Sequence, residues 1–138
     1  NDGNRVLPFK SALMGAAESQ IGTAASGEPV YVPVQPVSIS YVGVHGIPMG
    51  RENRPLYAWY GDMELVDHLW EGLKTGPVDV LIEFHEPITV DTVGGRKNLA
   101  RIVEEKIRHG QAMGLAGLAG RKAAIPAPDT ALKAQAAE

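Results

Sequence analysis

Apolar positions recur with helical spacing in three stretches of the chain and with strand character in two. The first helical stripe consists of Phe9, Leu13 and Ala16-Ala17, and it predicts a helix over 8–21 with Lys10, Glu18 and Gln20 off the stripe. Pro8 suits the first turn, where its missing N–H would have no partner in any case. Gly22 to Pro29 is small and polar and reads as a connector. From Val30 to Val42 the chain is rich in β-branched and aromatic residues, but Pro33 and Pro36 interrupt it and proline cannot donate to a ladder. A strand is expected from Val34 or Gln35 to Tyr41, entered through an extended segment.

Residues 43–60 carry no clear period and read as a long surface loop. Asp62 then offers an N-cap to a helix over 63–74, whose apolar face is Leu65, Val66, Leu69, Trp70 and Leu73. Thr75-Gly76-Pro77 ends it. Val78 to Glu86 predicts a second strand with Val80, Ile82 and Phe84 on one face, closed by Pro87. A third helix is expected from Arg96 or Asn98 to about residue 109, with Leu99, Ile102, Val103 and Ile107 inward and Arg101, Glu104, Glu105 and Arg108 turned to water. The two strands should share one sheet covered by the first and third helices, because each element has an apolar face that needs a partner.

Composition narrows the class. The 138 residues are 44% hydrophobic and 21% charged, the profile of one ordinary domain. Gly (16) and Pro (10) are frequent and aromatics few, so packing must rely on aliphatic residues between many turns. Zero cysteines exclude disulfides, thiolate metal sites and a cysteine nucleophile. A net charge of −3 lacks the basic footprint of a nucleic-acid binder. No apolar run reaches the roughly 18 residues of a membrane span. The expected division is a folded part over 1–110 and a Gly/Ala/Pro-rich flexible tail over 111–138, where Gly114, Gly117 and Gly120 are spaced like close-packing glycines.

Candidate chemistry is sparse. His85 between Glu83 and Glu86 offers half a metal site without a third ligand, and reads as a solvated strand end; His45 and His68 read as surface. Ser11, Ser38 and Ser40 have no base nearby in sequence and no glycines of a nucleophile elbow. Neither a metal nor a cofactor is expected.

The opening Asn1-Asp2-Gly3-Asn4-Arg5-Val6-Leu7-Pro8-Phe9-Lys10-Ser11-Ala12-Leu13, the Gly15-Ala16-Ala17 that follows, and Val34-Gln35-Pro36-Val37-Ser38-Ile39 form an ordered series. That series, continued by Ala58-Trp59-Tyr60-Gly61-Asp62-Met63 and Glu86-Pro87-Ile88, resembles the C-terminal half of the glycerolipid acyltransferase family, the bacterial 1-acylglycerol-3-phosphate and lyso-ornithine-lipid acyltransferases. The resemblance covers about residues 1–110 and implies an α/β fold with a mixed sheet and flanking helices. It implies a lysolipid O-acyltransferase that moves a fatty acyl group from acyl-CoA or acyl carrier protein to a lysophosphatidate or lyso-ornithine-lipid hydroxyl. Its place would be the cytoplasmic face of the bacterial inner membrane, with that membrane surface as a partner of the full-length protein.

The family's His followed five positions later by Asp is absent, since Gly50, Leu73, Val90 and Gly114 stand five after the four histidines. The family's Pro-Glu-Gly-Thr block is absent too, so the chain reads as a piece of a longer polypeptide that begins downstream of that block and is inactive alone. Arg5 and Lys10 flank that junction, and they are the expected substrate-binding residues, suited with a helix start near Pro8 to phosphate or carboxylate oxygens. The alternative reading is an independently folding binding or regulatory module without catalysis.

Overall fold

The computed structural model describes residues 2–118, and the expected tail beyond 118 lies outside them. Strand β1 (Gln20–Thr23) pairs antiparallel with β2 (Pro29–Tyr31) as a small hairpin. A second, three-stranded sheet has the order β4-β3-β5, formed by β3 (Val37–Val44), β4 (Ile47–Pro48) and β5 (Val78–Phe84). The chain also forms two α-helices, α1 (Leu65–Lys74) and α2 (Arg96–Leu115). The chain is α/β in composition, but among the described residues every strand pairing is antiparallel, where a mixed sheet was expected.

The two expected strands do share a sheet, in a register that sets Ile39 opposite Ile82 and Tyr41 opposite Val80. β3 starts at Val37 rather than Val34 or Gln35 because Pro36 has no N–H to donate; its carbonyl instead accepts the His85 N–H at 2.9 Å. Pairing resumes beyond it as an isolated bridge, where Val34 and Ile88 exchange both backbone hydrogen bonds at 2.8 and 2.9 Å.

The first helix is shorter and tighter than expected, a 3₁₀ helix over Ser11–Glu18. Pro8 and Phe9 lie outside any helix and Lys10 is extended, so no helix begins at Pro8. The connector over 22–29 is the hairpin between β1 and β2, closed by Ala24 donating to the Glu28 carbonyl at 2.8 Å. The long loop contains β4 and a 3₁₀ turn over Arg54–Tyr57. Asp62 is not the cap of α1: Glu64 occupies that position, without a side-chain cap hydrogen bond. α2 continues past the expected end at 109, and the reason lies in what it packs against.

The core is a cluster of Ala17, Val90, Leu99 and Val103, with Phe9, Met14, Tyr31 and Ile107 packed around it. It joins the 3₁₀ helix, the segment after β5 and the inner stripe of α2, and Leu99 is completely buried. α2 also covers one face of the main sheet, though not the face expected. Ser38 and Ser40 point at the helix and are both 2% exposed, while Ile39, Val80, Ile82 and Phe84 lie on the open face, Phe84 at 67% exposure.

Glycine explains the choice. Gly110 and Gly114, one helical turn apart, let the α2 backbone settle onto the two serines. A Cβ at Gly114 would stand 2.7 Å from Ser40 Oγ and 3.0 Å from Leu81 Cδ2. Gly114 is thus a close-packing position, while Gly120 lies outside the described residues. The apolar face of α1 is similarly uncovered, with Val66 at 77% and Trp70 at 60% exposure. Among the described residues no helix is long and apolar enough to cross a membrane.

Candidate functional site

The two expected binding residues come together on one groove. Arg5 and Lys10, with Val6, Leu7, Pro8, Leu13, Met14 and Gln111 among its other residues, line a cavity of about 650 Å³ between the opening segment and α2. Both cations belong to exposed residues, and most of the remaining lining is apolar. A groove of that kind suits an amphiphile, its anionic group at the guanidinium and ammonium and its hydrocarbon along Leu7, Leu13 and Met14.

The opening segment has no helix or strand of its own before Ser11. At its start Asp2 accepts the Asn4 N–H at 3.1 Å, and the Asn4 side chain also donates to the Asp2 carboxylate. The backbone and then the side-chain hydrogen bond from Asn4 lower the pKa of Asp2, with a smaller pull from the charge of Arg5. Asn4 Oδ1 in turn accepts from Arg54 at 3.0 Å, which ties the segment to the 3₁₀ turn after β4. Further along, the Phe9 N–H donates to Glu104 Oε2 at 2.9 Å and Arg108 donates to the Val6 carbonyl at 3.4 Å. Glu104 and Arg108 were expected to face water. Glu104 is instead turned to the opening segment and its side chain is only 23% exposed.

Two of the four histidines, His85 and His45, are held in structural bonds. His85 is not a solvated strand end: its Nε2 lies 2.6 Å from Ser38 Oγ, and Ser38 also donates to the Ile107 carbonyl at 3.1 Å. A hydroxyl has one proton, so both distances are satisfied when His85 Nε2 carries its own proton and donates to Ser38. In that arrangement the imidazole cannot accept the serine proton, and Ser38 is no activated nucleophile. His45 has a left-handed backbone (φ 52°), and its Nε2 lies 2.6 Å from the Thr75 carbonyl, so that it staples the turn after β3 to the end of α1. His68 lines a separate apolar recess of about 410 Å³ between α1, the Arg54–Tyr57 turn and the main sheet. Among the described residues no hydrogen bond joins an imidazole to a carboxylate, and no group of three or more His, Asp or Glu could hold a metal ion.

Sequence reasoning missed the Glu104 and Arg108 contacts and the Ser38–His85 pair. Each joins residues 47 to 102 positions apart, and no local pattern signals such a meeting.

No protein-family model matches the chain, and no solved structure matches it. Curated proteins do. Lyso-ornithine lipid O-acyltransferases from Brucella abortus and Rhizobium meliloti are 51% and 44% identical to it over 108 residues, 78% of this chain. One from Rhodobacter capsulatus is 33% identical over 112 residues. The chain spans 39%, 36% and 36% of the length of these three relatives. Over 78% of its own length, the chain is similar to lyso-ornithine lipid O-acyltransferases.

Proposed function

We propose that the chain is the acceptor-binding part of a lysolipid O-acyltransferase, corresponding to the C-terminal half of that enzyme, and that its acceptor is a lyso-ornithine lipid. In the reaction the acceptor hydroxyl attacks the carbonyl of an acyl thioester, the C–O bond forms, the C–S bond breaks and the thiol leaves with the proton. A hydroxyl is a poor nucleophile and needs a base. None of the four histidines has an Asp five residues on, so the base belongs to another part of the enzyme. What this chain supplies is recognition: an N-acylated ornithine carries a carboxylate and a hydrocarbon chain, and the Arg5–Lys10 groove offers cations beside an apolar wall. The donor is acyl-CoA or acyl carrier protein, and the complete enzyme works at the cytoplasmic face of the inner membrane.

The observation that carries this reading is the convergence of Arg5 and Lys10 on one largely apolar groove, in a chain 51% identical over 108 residues to a lyso-ornithine lipid O-acyltransferase. Calorimetric titration with N-dodecanoyl-ornithine below its micelle concentration tests it. Binding that weakens about tenfold in Arg5→Gln and Lys10→Gln is expected, the equivalent of one charge-assisted contact. Equal affinity in both variants and the native chain would remove the head-group assignment.

A further inference from the structure

The residues from Asp2 to Lys10 form no regular element, so their backbone must be held from outside if Arg5 and Lys10 are to keep a fixed separation. α2 does the holding, on both sides of Pro8. Glu104 Oε2 accepts the Phe9 N–H at 2.9 Å, and Arg108 Nη2 donates to the Val6 carbonyl at 3.4 Å. The two side chains are bound to each other through Glu104 Oε1 and the same Nη2 of Arg108. One carboxylate and one guanidinium thus grip a donor and an acceptor of the four-residue stretch between the two cations.

We infer that the Glu104–Arg108 pair is a positioning clamp that sets Arg5 and Lys10 on the same groove. This rests on the reading that those two cations meet the acceptor's anionic group. Arg108 offsets the charge of Glu104, so the clamp adds no net negative charge beside a site that takes an anion.

α2 carries its own comparison. Arg101 and Glu105 form an i,i+4 pair at 2.8 Å, with side chains 60% and 63% exposed, and among the described residues neither side chain has a hydrogen bond to another element. Glu104 and Arg108 have the same spacing but reach residues 95 and 102 positions away in sequence. An ordinary helix-surface bridge needs no such contacts.

The test reverses the pair. In the 138-residue chain, Glu104→Arg with Arg108→Glu keeps an i,i+4 ion pair but moves the carboxylate one turn from Phe9. Glu104→Gln keeps an acceptor oxygen for the Phe9 N–H, and Glu104→Ala keeps none. With N-dodecanoyl-ornithine as the probe, the reversed pair and Glu104→Ala should bind about tenfold more weakly. Glu104→Gln should recover most of that loss, and Glu105→Ala should bind as the native chain does. Hydrogen exchange at the Phe9 amide should speed up in the reversed pair and Glu104→Ala only, with urea midpoints recorded for all.

Native affinity in the reversed pair would reduce Glu104 and Arg108 to a helix-surface bridge and overturn the clamp. So would weakening by Arg5→Gln and Lys10→Gln without any by Glu104→Ala, and in that case the head-group reading would survive. A folded native chain that fails to bind the probe would sink that reading and the clamp with it.

Discussion

Ser38 Oγ and His85 Nε2 lie 2.6 Å apart where the β3–β5 ladder ends, and the serine hydroxyl donates a hydrogen bond to the Ile107 carbonyl of α2 3.1 Å away. A serine beside a histidine invites a catalytic interpretation, but Ser38 is 2% exposed and its proton is already engaged. The pair joins the sheet to the helix.

Replacing Ser38 with Ala should therefore cost stability. It leaves the His85 ring without its Ser38 partner and removes the second hydrogen bond to the Ile107 carbonyl, which keeps its helical one; a polar group left unpaired costs about 1–3 kcal/mol, and urea unfolding should read the loss directly. Serine-reactive fluorophosphonates should leave the native chain unlabelled; labelling at Ser38 would contradict the structural role.

Two glycine substitutions should have opposite signs. A Cβ at Gly110 would meet the His85 ring, 2.7 Å from Nε2, and the Ser38 hydroxyl. Overpacking of about 1–3 kcal/mol should outweigh the ~1 kcal/mol that Ala gains over Gly inside a helix. At Gly72 in α1 the nearest atom, the Leu56 carbonyl oxygen, would be 3.9 Å from a new Cβ. Gly72→Ala should stabilise by about 0.5–1 kcal/mol. Thermal unfolding of the two variants side by side checks both signs.

The open sheet face should make the isolated chain associate. Ile39, Ile82 and Phe84 are each more than half exposed on one continuous surface, and such a surface favours self-contact. Light scattering should show a mass that rises with concentration. Phe84→Thr should weaken that association about tenfold, from roughly 1.5 kcal/mol of lost apolar burial. A concentration-independent monomer would refute it.

Acid should loosen the opening turn. The hydrogen bonds from Asn4 hold the Asp2 carboxyl below its ordinary value of 3.8. A depressed carboxylate contributes stability that is present above that ordinary value and is lost as pH falls through the folded one. An NMR titration should find the Asp2 midpoint below 3.8 and find it raised in Asn4→Ala.

Local patterning was legible wherever one residue's neighbours decide its state. The stripe of Leu99, Val103 and Ile107 places α2 because side chains three and four apart share a helix face. The β-branched and aromatic run places β3 because such residues suit a pleated surface, although its start at Val37, after Pro36, was not read. Arg5 and Lys10 were singled out by the order of short motifs around them, and their place on one groove came from the fold. The 3₁₀ character of Ser11–Glu18 and the β1–β2 hairpin were not, since weak local preferences there yield to packing and to a turn closed by backbone alone.

By itself the sequence determined which segments become α2, β3 and β5, and which cations border the opening segment. Packing in three dimensions set which face of the main sheet meets α2, turning its serines, and not Ile39, Ile82 and Phe84, toward the helix. It alone decided that Glu104 leaves the water-facing side to take the Phe9 N–H. Periodicity specifies that a face is apolar, but which face is covered depends on how closely two backbones can approach. Gly110 and Gly114 bring α2 down onto Ser38 and Ser40, and a part-buried Phe9 N–H takes the acceptor that the fold offers.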